Sequence, residues 1–175
     1  RLGAGLSATG ASSKTLAGSL LIDSGALNLG GSGAITIAAD TTIGGSTSGP
    51  ITLADINLSG SSRLTLGSGS ATPISTGAIQ LASGASNNTL VLNSLGAINL
   101  QGNVGSSSAR LADIRLKSAG GSINFAADLY AEGLSNSGGF DLDLRGDTVS
   151  FTNPVTFTTT GTVSLGASAA DQEQF

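Results

Sequence analysis

Gly96-Ala97-Ile98-Asn99-Leu100 decides how this chain folds. It reads glycine, small residue, aliphatic, polar, aliphatic. The same order returns at Gly33-Ala34-Ile35-Thr36-Ile37, Gly49-Pro50-Ile51-Thr52-Leu53, Gly77-Ala78-Ile79-Gln80-Leu81, Gly121-Ser122-Ile123-Asn124-Phe125 and Gly161-Thr162-Val163-Ser164-Leu165. Asp147-Thr148-Val149-Ser150-Phe151 fits with its glycine one place early, at Gly146. A turn residue followed by strict alternation is the pattern of a short strand with one buried face. Its recurrence makes each strand a unit in a stack, so the chain reads as a repeat array.

Composition narrows the choice further. The 175 residues include 27 glycines, only 10% charged residues and only 3% aromatics. Low charge with much Gly and Ser would suit a disordered chain, but disorder needs low hydrophobicity. Here the mean hydropathy is positive and the aliphatics fall at period two. The reading is an all-β fold with a thin aliphatic core. There is no Cys, so disulfides and thiolate metal sites are excluded. There is no His, which removes the commonest general base and metal ligand. The net charge is −4, whereas a polyanion-binding surface is normally basic, so nucleic acid is not an expected partner. No run of about 18 apolar residues exists to cross a membrane as a helix, and no cofactor motif occurs. Residue 1 already lies among repeat-like sequence without a signal peptide, so the chain reads as a piece of a longer protein.

The spacing of the leading aliphatics sets the size of the repeat. Ile51 to Ile79 is 28 residues, Ile79 to Ile98 is 19, Ile98 to Ile123 is 25 and Ile123 to Val149 is 26. A strict hexapeptide or nonapeptide coil cannot give that scatter. Irregular turns of 19–28 residues, each with three short strands and a loop of variable length, are the plan of a parallel β-helix. Ile35, Ile51, Ile79, Ile98, Ile123, Val149 and Val163 are then core rungs stacked at ~4.8 Å. Thr36, Thr52, Gln80, Asn99, Asn124, Ser150 and Ser164 point outward as a polar ladder whose side chains can bond along the rod. Residues 1–18 form an irregular start or entering coil, 19–166 the β-helix, and 167–175 a polar end or tail. A sandwich of antiparallel hairpins fits less well, because the strands are very short and Asn-Gly or Asp-Gly turns are absent.

At GAITIAADTTIGG, GPITLADINLSG, GAINLQGNV, GSINFAADLYAEG and FTNPVTFTTTGTVSLG the chain resembles the passenger repeats of filamentous-haemagglutinin-like proteins. These are long secreted exoproteins of Gram-negative bacteria, often exported by two-partner secretion. The resemblance covers about residues 19–166. It implies a right-handed parallel β-helix forming a surface fibre, an extracellular or cell-surface location, and a role in adhesion to a host-cell or bacterial receptor. The secretion domain of that family, with its Asn-Pro motifs, is not evident, and Asn153-Pro154 reads as an ordinary turn.

Several short motifs invite chemistry. Arg145-Gly146-Asp147 is a candidate adhesive turn, although a corner glycine between two strands is the simpler account. Asp141, Asp143 and Asp147, with Asp128 and Glu132, make the densest acidic region. Calcium wants six to eight oxygens, more than one strand offers, so a solvated face is the plainer reading. Asp23, Asp40, Asp55 and Asp113 come one per coil without a partner at a repeated offset, unlike the paired carboxylates of glycosidases. Thr156, Thr158, Thr159, Thr160 and Thr162 cluster, but not at the coil spacing an ice-binding array needs. The expectation is a non-enzymatic shaft that projects binding regions from the cell, with neighbouring coils of its own parent chain as its partners. The alternative is a fibre subunit that assembles by end-to-end stacking on other copies.

Overall fold

Ile98-Asn99-Leu100 pairs in parallel with Ile74-Ser75-Thr76 on one side and with Ile123-Asn124-Phe125 on the other. That three-rung step, repeated, builds the whole molecule. The computed structural model describes residues 1–118, 120–167 and 171–174. Among them there is no helix, and all pairings between strands are parallel. The chain winds as a β-solenoid of about seven turns with three faces.

The first face is an eight-stranded sheet: Leu6–Ser7, Leu27–Leu29, Ile51–Leu53, Ile74–Thr76, Ile98–Leu100, Ser122–Phe125, Asp141–Leu144 and Val163–Leu165. The second and third faces are joined where single strands run around a corner. Lys14–Leu21 pairs with Ile35–Gly44 along both faces, with the register shifting between Leu16 and Gly18. Ile56–Leu58, Ile79–Leu81, Leu129–Ala131 and Thr148–Phe151 continue the second face. Arg63–Ser68, Thr89–Leu92, Asp113–Leu116 and Leu134–Asn136 continue the third. A turn takes 25 residues from Ile98 to Ile123 and 19 from Ile123 to Leu142.

Alternation explains why these segments become strands. In Ile-Asn-Leu at 98–100 the two aliphatics are fully buried while the polar residue faces out. One continuous core runs from Ile22 to Phe151. Each Ile or Leu buried in it contributes roughly 1.5–3 kcal/mol over leaving it in water. The core is nearly all aliphatic, with Phe125 and Phe140 as the largest side chains that are completely covered.

The leading aliphatics do not form one row. Ile51, Ile98, Ile123 and Val163 belong to the first face, whereas Ile35, Ile79 and Val149 belong to the second. Ile51 stacks on Ile74, not on Ile79. The 28-residue interval is therefore one turn of 23 residues plus the corner to the next face. Thr76 hides this rung. It sits where Leu53 and Leu100 sit in the neighbouring turns, fully buried, and its hydroxyl donates to the Gly77 carbonyl at 3.0 Å. A threonine with a local hydrogen-bond acceptor fills an inward position without an aliphatic signal. Val163, with Leu142 stacked on one side, is only half-buried.

Strands also occur at both ends. Within residues 1–18, Leu6–Ser7 and the start of Lys14–Leu21 already lie in the sheets, so the start is an entering coil. Lys14 ties two glycine-rich turns together, its ammonium donating to the carbonyls of Gly10, Ser12, Gly30 and Gly33 at 3.3–3.5 Å. The stretch read as a tail adds a strand, Gln172–Gln174, in register with Thr148–Ser150. Backbone pairing at a sheet edge needs no apolar side chain, which is why Gln-Glu-Gln gave no strand signal. Residues 168–170 and 175 of that stretch lie outside the described residues.

Candidate binding surface on the first face

The outward residues of the first face stack in one file: Asn28, Thr52, Ser75, Asn99, Asn124, Asp143 and Ser164. Of the outward polar residues expected from sequence, Thr52, Asn99, Asn124 and Ser164 share this file. Thr36, Gln80 and Ser150 belong to the second face instead. Ser150 is also buried there, because the Arg110 guanidinium lies against its hydroxyl.

The file is not a ladder of bonded amides. Among the described residues, no side-chain hydrogen bond joins Asn99 to Asn124, and the Asn124 Oδ1 is buried without a partner. Side chains elsewhere mostly reach backbone rather than one another. Gln80 Nε2 donates to the carbonyls of Asn103 and Gly105 on the next turn, at 3.1 and 3.0 Å.

A shallow groove of about 380 Å³ lies over this file. Asn99, Ser122, Asn124, Asp143, Thr162 and Ser164 line it, with Asp141 and Arg145 at its side. Arg145 follows directly on the strand Asp141–Leu144, its N–H still bonded to the Phe125 carbonyl at 2.9 Å, so its side chain lies on the same side as that of Asp143. They form an ion pair, with Nε and Nη2 of Arg145 both 2.5 Å from Asp143 Oδ2. That hydrogen bond, then the charge of Asp143, raises the Arg145 pKa above its ordinary value, so the guanidinium stays charged. Asp141 is committed to the fold, since its Oδ1 accepts the Thr162 N–H at 2.8 Å. Among the described residues, no three of His, Cys, Asp or Glu come together to hold a metal ion.

The candidate adhesive turn adjoins this groove. Arg145, Gly146 and Asp147 border a second hollow of about 270 Å³ with Asn103, Ala126 and Asp128. The Arg145 side chain is drawn back along its strand to Asp143. Gly146 is buried, and a Cβ there would lie 2.5 Å from the Ala127 carbonyl oxygen, so stacking of the turns itself requires glycine. Asp147 is exposed, while its backbone carbonyl accepts the Gln172 N–H at 2.9 Å.

No protein-family model matches this chain, and no curated protein or solved structure matches it either. What its surface does must be read from the side chains alone.

Two devices escaped the sequence reading. The first is a set of corner carboxylates that accept backbone N–H groups from the following turn. Asp40 takes Arg63, Asp55 takes Ala78 and Asp128 takes Thr148, at 2.8–3.0 Å. In the sequence Asp40 and Asp55 show one-per-coil spacing, whereas Asp128 falls within the densest acidic region. The second is a row of buried hydroxyls at the corner before the first face: Thr47, Ser70, Ser94 and Ser118. Ser94 Oγ donates to the Ser70 carbonyl at 2.9 Å, and Ser118 Oγ to the Ser94 carbonyl. A 24-residue period in serine was the available signal.

Arg110 holds the second face from outside. Residues 105–110 leave the sheet after Val104 and return at Leu111, straddling Tyr130 of the next turn. Arg110 then lies over the Tyr130 ring, 5.6 Å from its centre. Its Nη1 donates to the carbonyls of Ala131 at 3.3 Å and Ser150 at 2.8 Å, and its Nη2 meets Ser150 Oγ at 3.0 Å. One side chain thus spans two further turns. By contrast Arg115 pairs with Asp113 on its own strand, at 2.6 Å on an exposed face, where such a bridge adds little.

Proposed function

We infer that this chain is a non-enzymatic structural segment, a shaft, of a secreted or cell-surface exoprotein of the filamentous-haemagglutinin-like kind. Its work is mechanical: stacked turns hold binding regions away from the cell. The observation that supports this reading most is the uninterrupted core, a single apolar cluster running from Ile22 to Phe151. A solenoid built this way passes load from turn to turn through short backbone ladders and apolar contact.

A shaft segment is a monomeric rod. Analytical ultracentrifugation should give a single elongated species at all concentrations. In the parent organism, antibody raised to this chain should label intact cells or the medium. A compact species, or label confined to the cell interior, overturns the reading.

The fibre alternative draws on the same parallel stacking, since a turn that pairs with its neighbour along one chain can pair in the same way with a turn of another copy. Filaments in negative-stain micrographs would favour that alternative over the shaft.

A further inference from the structure

The third side of the turn that follows Leu134–Asn136 is built unlike the others. Residues 152–162 carry no strand, and among the described residues the third-face sheet stops at Leu134–Asn136. Among the described residues, Thr156, Thr158 and Thr159 make no backbone-to-backbone bond, and Pro154 has no N–H to give one. One side chain replaces the ladder. Asn136 Oδ1 accepts the N–H groups of Thr158 at 2.5 Å and Thr159 at 3.1 Å, and its Nδ2 donates to the Thr156 carbonyl at 2.7 Å. The Thr158 hydroxyl donates to the Asn136 carbonyl at 2.6 Å. A second side chain, Thr159, closes the far end. Its Oγ1 donates to the Phe140 carbonyl at 2.6 Å and accepts the N–H groups of Phe140 and Gly161 at 3.3 Å. Thr156, Thr158 and Thr160 are exposed, while Val155 and Phe157 are half-buried against the core.

We propose that residues 154–160 form a strap that opens as one unit while the turn it belongs to stays wound. Both flanks are held by backbone: the Asn153 N–H bonds the Glu132 carbonyl and the Leu142 N–H bonds the Thr162 carbonyl, each at 2.8 Å. Peeling therefore stops at either end. Between them the polar bonds converge on two side chains in contact with water, where each bond is worth little. Turning the Asn136 amide away frees Thr156, Thr158 and Thr159 together. Segments with few buried apolar contacts and exposed backbone bonds open locally at low free energy. Closed, the strap covers the outer edge of Leu134–Asn136, one of the ways in which sheet edges are kept from pairing. Open, it leaves that edge and the apolar faces of Val155 and Phe157 in water. The rod thus has an edge that it can cover or bare without unwinding.

The test is native-state hydrogen exchange of the full chain, followed by NMR at a series of low urea concentrations. The amides of Thr158, Thr159, Thr160 and Gly161 should exchange through one opening of common population that hardly depends on urea. Those of Leu142 and Val149 should show the steep urea dependence of global unfolding. Asn136→Ala should raise the open population about tenfold, and equally so at Thr160 and Gly161, whose N–H groups Asn136 does not touch. Thr159→Val should raise it about fivefold over the same set, Thr158 included. Exchange at Asn153 and Leu142 should stay unchanged in both variants, which also shows that the rod has folded. Strap amides that share the urea dependence of Leu142 in the wild-type chain overturn the proposal, whatever the variants do. So does an effect of Asn136→Ala confined to Thr158 and Thr159, which would mean separate bonds in place of one unit. None of these outcomes bears on the shaft reading, which stands or falls on hydrodynamics and location.

Discussion

The Asp55 carboxylate accepts the backbone N–H of Ala78 at 2.8 Å, so a side chain on one turn fixes the start of a strand on the next. Asp55 is exposed, and an exposed charge-assisted bond to backbone is worth about 1 kcal/mol. Asp55→Ala should therefore lower stability by that amount, read as a lower urea midpoint at unchanged slope. Asp55→Asn, which keeps an acceptor, should lose less than half as much.

Gly77 lies directly over that carboxylate. A Cβ at position 77 would come 2.1 Å from Asp55 Oδ1. Gly77→Ala must then push the carboxylate off Ala78. The two substitutions should be strongly non-additive: Gly77→Ala should destabilise the Asp55→Ala background less than it does the wild-type chain. Equal losses in both backgrounds would mean that the clash lies with backbone instead.

Ser94 is 3% exposed, and its Oγ both donates to the Ser70 carbonyl and accepts the Gly96 N–H at 3.0 Å. Ser94→Ala should leave the Gly96 N–H without that acceptor, while the Ser70 carbonyl keeps the Leu95 N–H at 2.9 Å, and cost about 1–3 kcal/mol. Thermal unfolding followed by circular dichroism measures it.

Ile98 sits between Ile74 and Ile123 and is fully buried. Ile98→Ala should cost about 2–5 kcal/mol, the range for opening a core cavity. Leu95, three residues earlier and 56% exposed, is the control. Leu95→Ser should stay within about 0.5 kcal/mol of wild type. A large loss at Leu95 would mean that something covers it in solution.

Arg110 touches turns that its own backbone does not. Arg110→Lys keeps the charge but loses the planar fork. Hydrogen exchange should quicken at Thr148–Phe151 and Leu129–Ala131. It should stay unchanged at Ile35–Gly44 and Ile56–Leu58, because turns couple to near neighbours.

Much of this fold was legible from alternation. Period-two aliphatics between glycines marked most of the strands, and the scatter of their spacing marked an irregular solenoid. The phase between faces was not legible. Gly49–Leu53 and Gly77–Leu81 look alike, yet they lie on different faces, because a three-sided coil uses the same local pattern at each corner. Thr76 removed the aliphatic that would have revealed the true rung at Ile74. The groove was half legible. Asn99 and Asn124 were read as outward, but Asp143 joins their file only because the Ile123-to-Leu142 turn is short. Gln172–Gln174 gave no signal, since nothing in its sequence asks to be buried.

Residues 105–110 stand where the turn above has Tyr130 alone. The chain leaves the sheet at Val104 and resumes at Leu111 with the rungs on either side still in phase. Loop length at that point is therefore uncoupled from the winding of the rod. Closing a longer loop there would add only about 0.6 kcal/mol for each doubling of its length. The same backbone could carry a bare corner in one protein and a large outward lobe in another, and new surface could be acquired there without redesigning the core.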